Sequence, residues 1–446
     1  MKALKISSVI LLLSAQQVWA QESMTLKQCV EYALENSASA HITEENLSQT
    51  KTYKRDAWLG ALTPHVYAST TLQISTGRQI DFETNMYKDF RSLQNSYSIN
   101  GEIYLFNGLE GVNKIKMAKN NNLSQQEGLK AKQDEIALNT TQYYYNYLYY
   151  TKLSDIAKKQ ADDAENTLQK TRREYELGSK SAQDVLEKES AQAEAQLTYV
   201  KYNAAKKKAL LQLKSAMYYP QDDTLIIDTT ITESVNLISA SDVEQTAAYA
   251  AENNSASLMK RYEMQNKIKD LHTQRWKFIP TIRAFAGWNT GYVVDLDNRS
   301  TAMSFHDQTK LNAGKWIGIS ASIDLYNRLG KFSSVSRAKS NYKIATYEYE
   351  IKQREIEDQV YGAYDEAQQA EKQLEASRKA AELNQKYFDL AKRRFELGLV
   401  NYIEYDQAYN KYLESQANYY HALFDYKIKS AIIKYYKGES YINQLN

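Results

Sequence analysis

The sequence predicts a mainly α-helical chain with a smaller β component, laid out as two tandem copies of one unit of about 220 residues. Three observations predict it. Only three prolines occur in 446 residues, far below the usual ~5%, so long helices and strands can run without interruption. The phrase TRREYELGS at Thr171 to Ser179 returns as AKRRFELGL at Ala391 to Leu399, 220 positions later. Each copy also carries two stretches in which apolar and polar residues alternate with the strand period of two.

The N-terminus comes first. Lys2 and Lys5 precede an apolar run from Ile6 to Leu13, and Val18-Trp19-Ala20 ends the segment before Gln21. A basic start, a short apolar middle and a small-residue end predict a secretory signal peptide over residues 1–20. Without Lys2 and Lys5 the formal charge falls from +2 to about zero, so nothing in the balance points to nucleic acid. The single cysteine, Cys29, can form no internal disulfide and reads as a small buried side chain. No later segment approaches the ~18 uninterrupted apolar residues of a membrane helix, so any membrane insertion of the exported chain has to be by strands.

The first repeat spans 21–220, a linker 221–240, the second repeat 241–440 and a tail 441–446. Tyr32-Ala33-Leu34-Glu35-Asn36 is echoed by Tyr249-Ala250-Ala251-Glu252-Asn253, the step through Pro64 by the step through Pro280, and EIYLFNGLEG (Glu102 to Gly111) by SIDLYNRLGK (Ser322 to Lys331). Alternation predicts strands with Val66, Ala68, Thr70, Leu72 and Ile74 on one face; Tyr97, Ile99, Ile103 and Leu105; Ile282, Ala284, Ala286 and Trp288; and Ile317, Ile319, Ala321, Ile323 and Leu325. Four strands of about ten residues would cross a tilted bilayer, and the same pattern equally fits a soluble half-buried sheet packed on helices. The hairpin tips, around Asp81 to Asn95 and Leu296 to Ala313, are long and polar, as outward loops of a membrane barrel tend to be.

After each strand pair comes a long helix, predicted over 109–177 and 329–397 and reaching roughly 100 Å at 1.5 Å per residue. Partner helices run to Tyr219 and from Tyr402 to Tyr436. Ala193, Leu197, Val200, Ala204 and Leu211, and Leu413, Ala417, Tyr420, Phe424 and Ala431, have coiled-coil-like spacing. The run YYYNYLYY at Tyr143 to Tyr150 is read as packing with a wet edge rather than a stacking platform.

Gly178 and Gly398 stand where a helix must stop, with Arg172, Arg173, Lys392, Arg393 and Arg394 in the preceding turns, where cations suit the negative helix end. Ser181-x-x-Asp184 and Asn401-x-x-Glu404 then start new helices. Each phrase is the tip of a helical hairpin, and the two tips are built alike.

The leader, the opening LKQCVEYALENSAS, the proline-then-strand step, EIYLFNG and SIDLYNR, and the duplicated ELG tips together resemble the TolC-like outer membrane efflux family over essentially the whole mature chain. That resemblance implies a homotrimer in the outer membrane of a Gram-negative bacterium, each protomer giving four strands to a twelve-stranded barrel and its helices to a periplasmic coiled-coil barrel. It implies an exit duct for efflux or type I secretion, carrying small molecules or proteins from an inner-membrane RND, ABC or MFS pump through a periplasmic adaptor. Leu177, Gly178, Ser179, Leu397, Gly398 and Leu399 would contact the adaptor. Asp184, Glu187 and Glu404 would form the acidic periplasmic gate. The chain departs from the family pattern at Gln407, where an acid is expected, and at Val400, where a basic partner is expected. Asp184 and Glu404 are also explained as ordinary capping residues.

No catalytic constellation competes. His41, His65, His272, His306 and His421 are scattered without paired ligand spacing, and no glycine-rich phosphate loop occurs, so no metal, no cofactor and no enzyme activity is expected. A secreted coiled-coil adhesion or scaffold protein is the rival of a different class. It explains the helices and leader but not alternating strands at matching places in both copies.

Overall fold

The computed structural model describes residues 23–80, 85–231 and 242–445. The leader at 1–20, most of the second half of the expected linker and part of the first hairpin tip lie outside the described residues. In chain order the elements are α1 (Leu26–Asn36), α2 (Ala38–Leu62), β1 (His65–Ile80), β2 (Tyr87–Phe106), α3 (Glu110–Glu176), α4 (Ala182–Ala216), α5 (Val243–Asn253), α6 (Ser255–Trp276), β3 (Thr281–Asp295), α7 (Phe305–Leu311), β4 (Gly314–Ser322), α8 (Gly330–Glu396) and α9 (Tyr402–Tyr436). The duplication is exact in the long helices: α3 and α8 have 67 residues each, α4 and α9 have 35 each, and both pairs start 220 positions apart.

The residues fall into two compact units, each drawing corresponding pieces from both repeats. One contains 38–132 and 242–361, the other the described parts of 1–37, 133–241 and 362–446. The first unit holds a four-stranded antiparallel sheet in the order β1-β2-β3-β4. Register puts Ala68 opposite Ile99, Ile99 opposite Trp288, Ile103 opposite Ala284, and Ala284 opposite Ile319. Because paired residues share a face, the apolar residues expected on one side line up on one side within the ladder, except Leu105, where a register shift between Tyr104 and Phe106 puts Phe106 opposite Ile282 instead. Most of that side is bare, with Val66 63% exposed, Leu72 67%, Ile319 71% and Ile317 87%; only at its outer end does Phe305 of α7 pack on Tyr97 and Tyr292, where Thr290 and Val294 are buried. The other face is polar, with Ser69 and Ser98 hydroxyls 2.8 Å apart and Arg283 paired to Glu102 at 2.7 Å.

Three expectations about the strands change. Three of the four are longer than ten residues, at 16, 20 and 15, while β4 has nine. The first hairpin tip is short, because residues 87–95 belong to the ladder rather than to a polar loop. Strand β4 ends at Ser322, so Ile323 and Leu325 are not strand residues; there the chain turns through Arg328 and Leu329, both left-handed at φ 54° and 63°, to start α8. The copy at Gly108 and Leu109, φ 68° and 60°, makes the same turn into α3. The side chains of Asn107 and Asn327 each accept from an N–H of the helix that follows.

Strand β4 also starts late. It pairs with β3 only as far as Asn289, and beyond that point α7 occupies the flank of β3. The Gln308 amide receives the N–H of Val293 and donates to its carbonyl, both at 2.9 Å, and Asn312 donates to the carbonyl of Gly291. Side chains thus satisfy backbone groups that a longer fourth strand would have paired.

The second unit packs the long helices on aromatic and small residues. Phe388, Ala391, Tyr405, Ala408, Tyr409 and Leu413 form one cluster with Leu153, and Leu374, Ala381, Tyr419, Leu423 and Tyr426 another. Each fully buried large side chain contributes on the order of 2 kcal/mol. The tyrosine run packs as expected: Tyr144 and Tyr147 are buried, Tyr145 stacks on Phe424 at 5.1 Å, and the Tyr144 hydroxyl donates to Asp228 O. Cys29 is fully buried, and burial pushes its thiol up to about 12. Leu197, Val200 and Leu211 of α4, which have coiled-coil-like spacing, are 69%, 52% and 51% exposed in the single chain, while Ala195, Ala209 and Leu213 face its core.

The tail is docked. Asp134, itself buried, accepts from Ser440 Oγ at 2.7 Å and from the Tyr441 N–H at 2.9 Å, and the Tyr441 ring stacks on Tyr435 at 4.8 Å. Replacing Asp134 by Ala strips both donors of their acceptor and should cost about 1–3 kcal/mol. The same change should make the last six residues accessible to carboxypeptidase, and a tail that stays equally protected would show that the Tyr441 stack, the Ile442 and Leu445 packing and the Gln444 bond to Ala431 O dock it without Asp134.

Candidate functional site

The hairpin tips are assembled from the same parts twice. At the first, the Ser179 N–H reaches Glu174 O at 2.8 Å and the Gly178 N–H reaches Tyr175 O at 2.9 Å, with Gly178 at φ 76°. At the second, Leu399 reaches Arg394 O at 2.8 Å and Gly398 reaches Phe395 O at 2.9 Å, with Gly398 at φ 71°. This is the Schellman ending, in which a left-handed residue lets the chain leave the helix while its last carbonyls stay bonded. A Cβ at either glycine would meet nothing within 4 Å, so the left-handed backbone alone requires glycine there. Leu177, Leu397 and Leu399 project outward at 83%, 74% and 66% exposure. Ser179, at the first tip, is exposed, and its hydroxyl donates to Glu174 O.

The three acids expected at the gate sit in the first turns that follow. Asp184 is the N3 residue of α4 and accepts from the Ser181 N–H at 2.9 Å, while Ser181 Oγ accepts from the Asp184 N–H. The Ser181 N–H and, at 2.8 Å, the Ser181 hydroxyl donate to the carboxyl and hold it below the usual carboxylate range. Glu187 pairs with Lys188 at 2.9 Å. Glu404 pairs with Arg394 at 3.4 Å, and its N–H is capped by Asn401 at 2.9 Å. Each acid therefore has a different partner within the chain, and the capping reading of Asp184 is correct as far as it goes.

Just inside the tips, α3, α4, α8 and α9 enclose a cavity of about 150 Å³. Asp163 and Lys392 form an ion pair on its wall. Lys188 is mostly buried, with its ammonium 3.6 Å from the centre of the Phe395 ring. The Tyr402 hydroxyl lies 3.0 Å from Glu194 and 3.5 Å from Asp406, and Asn410 donates to Asp406 at 2.8 Å. Burial, and then the nearby Glu194, raise the Asp406 carboxyl above its ordinary value. The Tyr405 hydroxyl accepts from Gln160 at 2.7 Å, and burial pushes it up to about 12.

The sequence did not single out this cluster. Tyr402 and Asp406 are one helical turn apart, which was visible, but Glu194 is 208 positions away from Tyr402, and no local pattern joins them. No group of acids, histidines and cysteines suited to a metal ion occurs among the described residues, and no described helix is long and apolar enough to cross a membrane.

Against known proteins, the outer membrane efflux protein family matches residues 60–217 and 269–434, well over half of the chain and one block in each copy. No curated protein sequence matches. Among solved structures, CusC, described as forming a transmembrane channel, is similar at 14% identity and a TM-score of 0.72, covering 92% of this chain and 91% of its own. The outer membrane protein VceC of Vibrio cholerae is similar at 12% identity and 0.70, covering 93% and 96%. The CmeC outer membrane channel of Campylobacter jejuni is similar at 14% and 0.70, covering 94% and 85%. At such identities the structures establish the shared fold, and the matched blocks place the long helices and strands of both copies in it: the chain belongs to the outer membrane efflux protein family.

Proposed function

We propose that this outer membrane efflux protein works as a homotrimer, its twelve strands closing one barrel and its helices forming a periplasmic duct that receives cargo from an inner-membrane pump through an adaptor. The observation that carries the reading is the sheet. It exposes an apolar face to its surroundings, and its outer strands, β1 and β4, each have one partner only. Hydrocarbon tolerates the face but not the unpaired edges, and four strands are too few to close on themselves. The exposed apolar row of α4 supports the same assembly, because a helix face left open in one protomer needs a neighbour. A secreted coiled-coil scaffold has no use for such a sheet.

Leu177, Leu397 and Leu399 around Gly178 and Gly398, with Ser179 beside them, form the adaptor-facing tips in this reading. Asp184, Glu187 and Glu404 supply the acidic gate, tripled by the symmetry. RND, ABC and MFS pumps remain equal candidates for the inner-membrane partner, and drug, metal and protein for the cargo.

The barrel is tested by charge placement. Ile99→Lys and Ile319→Lys put an ammonium on the apolar face at a cost of about 2–4 kcal/mol per chain near the bilayer midplane. Both should abolish the heat-sensitive oligomer extracted from the outer membrane, whereas Ser98→Lys and Ser320→Lys, on the polar face, should assemble. Equal assembly of all four would remove the barrel.

The gate is tested by conductance. Asp184→Asn with Glu404→Gln keeps size and leaves the Asn401 cap intact while removing six charges per trimer. In planar bilayers the variant should lose cation preference, with thermal stability within about 1 kcal/mol of the parent. Unchanged selectivity with a lower melting temperature would assign both acids to capping alone.

A further inference from the structure

The cavity inside the tips is lined by four acids, Asp163, Glu194, Glu396 and Asp406, against two lysines, Lys188 and Lys392. Glu194 and Asp406 both face the Tyr402 hydroxyl, which has one proton to give. Asn410 supplies one further donor to Asp406, and among the described residues no ion pair reaches either carboxylate. The third observation is independent of the acids. Tyr409 lines the same cavity, is 95% buried, and its hydroxyl has no hydrogen-bond partner, an arrangement native interiors seldom leave unfilled.

The walls are aromatic. Phe395, Tyr402, Tyr405 and Tyr409 all contribute, and Lys188 already shows what they accept, with its ammonium 3.6 Å over Phe395 and 6.0 Å from Tyr402. Cations are drawn to such ring faces, more strongly when water is excluded. A cavity near 150 Å³ holds a molecule of roughly benzene size.

We propose that this cavity is a binding site for a small primary-amine cation, its ammonium held by Glu194 and Asp406 and its apolar body laid against Phe395 and Tyr402. An ammonium has three donors and no acceptor, so it complements the two carboxylates where a neutral or anionic ligand would not. Lys188 is the internal competitor: it occupies the ring face that the ligand takes. The site lies within one protomer, and a bound amine ties α4 to α9.

The test uses purified full-length protein in detergent, titrated calorimetrically with benzylammonium and, as the neutral isostere, benzyl alcohol. Benzylammonium should bind saturably at one site per chain, and benzyl alcohol at least tenfold more weakly. Asp406→Asn and Glu194→Gln should each weaken the amine at least tenfold, and Lys188→Met should tighten it several-fold by removing the competing ammonium. That opposite sign separates a binding role from a structural one, since loss of a merely structural lysine would not improve affinity. Equal binding of the alcohol, no saturable heat with either the parent or Lys188→Met, or amine affinity indifferent to both acid substitutions would each overturn the proposal. Should Asp406→Asn fail to assemble, Glu194→Gln, whose side chain is exposed, carries the same comparison. The readout is independent of export, so a channel without this site and a site without channel activity give different results.

Discussion

The constraint on which the rest of the structure depends is the pairing of backbone groups at a sheet edge in a solvent that offers no partners. A strand in hydrocarbon must have a neighbour on both sides. The described sheet supplies neighbours for β2 and β3 and leaves β1 and β4 with one each. The exposure of Ile317 and Ile319, costly in water, and the openness of the α4 row then stop being separate oddities. In the proposed trimer, lipid covers the first and a neighbouring protomer the second.

Much of this was legible in the sequence, and the reasons differ by element. The helical hairpins could be read because a left-handed glycine after a basic turn, followed at once by a capping residue, is a local chemical necessity; Gly178 with Ser181 and Gly398 with Asn401 behave as written. The sheet faces could be read because alternation survives in the register, as Ile99 against Trp288 and Ala284 against Ile319 show. Strand ends were harder. Polar Ser92, Gln94 and Asn95 read as loop, yet the ladder runs past them to Tyr87 opposite Ile80, and Ile323 and Leu325 kept the period of two after the backbone had left the sheet.

The α4 row shows a different limit. Heptad-like spacing says that a helix face is to be buried but not by which chain. The apolar row at Leu197, Val200 and Leu211 has the right period, and within one protomer the core falls on Ala195, Ala209 and Leu213 instead. The cavity cluster was invisible for a third reason: Asp163 with Lys392, and Glu194 with Tyr402, meet only because two copies of the hairpin pack together. Duplication brings equivalent helices side by side, and divergence between the copies then places unlike charges opposite each other.

The substitution of side chains for a strand along outer β3 has a consequence for the outline of the assembled barrel. In a closed ring β4 must pair with β1 of the next protomer, and it brings nine residues to a strand of sixteen. Since Gln308 and Asn312 already seal β3 above that point, the outer part of β1 outruns its partner at every seam. In the proposed trimer the rim would therefore be uneven, with a low wall recurring once per protomer, and the lowest point of each wall would be where the barrel has least hydrogen bonding to lose. In that assembly, sequence added or removed beside α7 would alter the height of the rim without disturbing the ladders below it, which makes that connection the place where the outward-facing surface can diversify while the conduit stays intact.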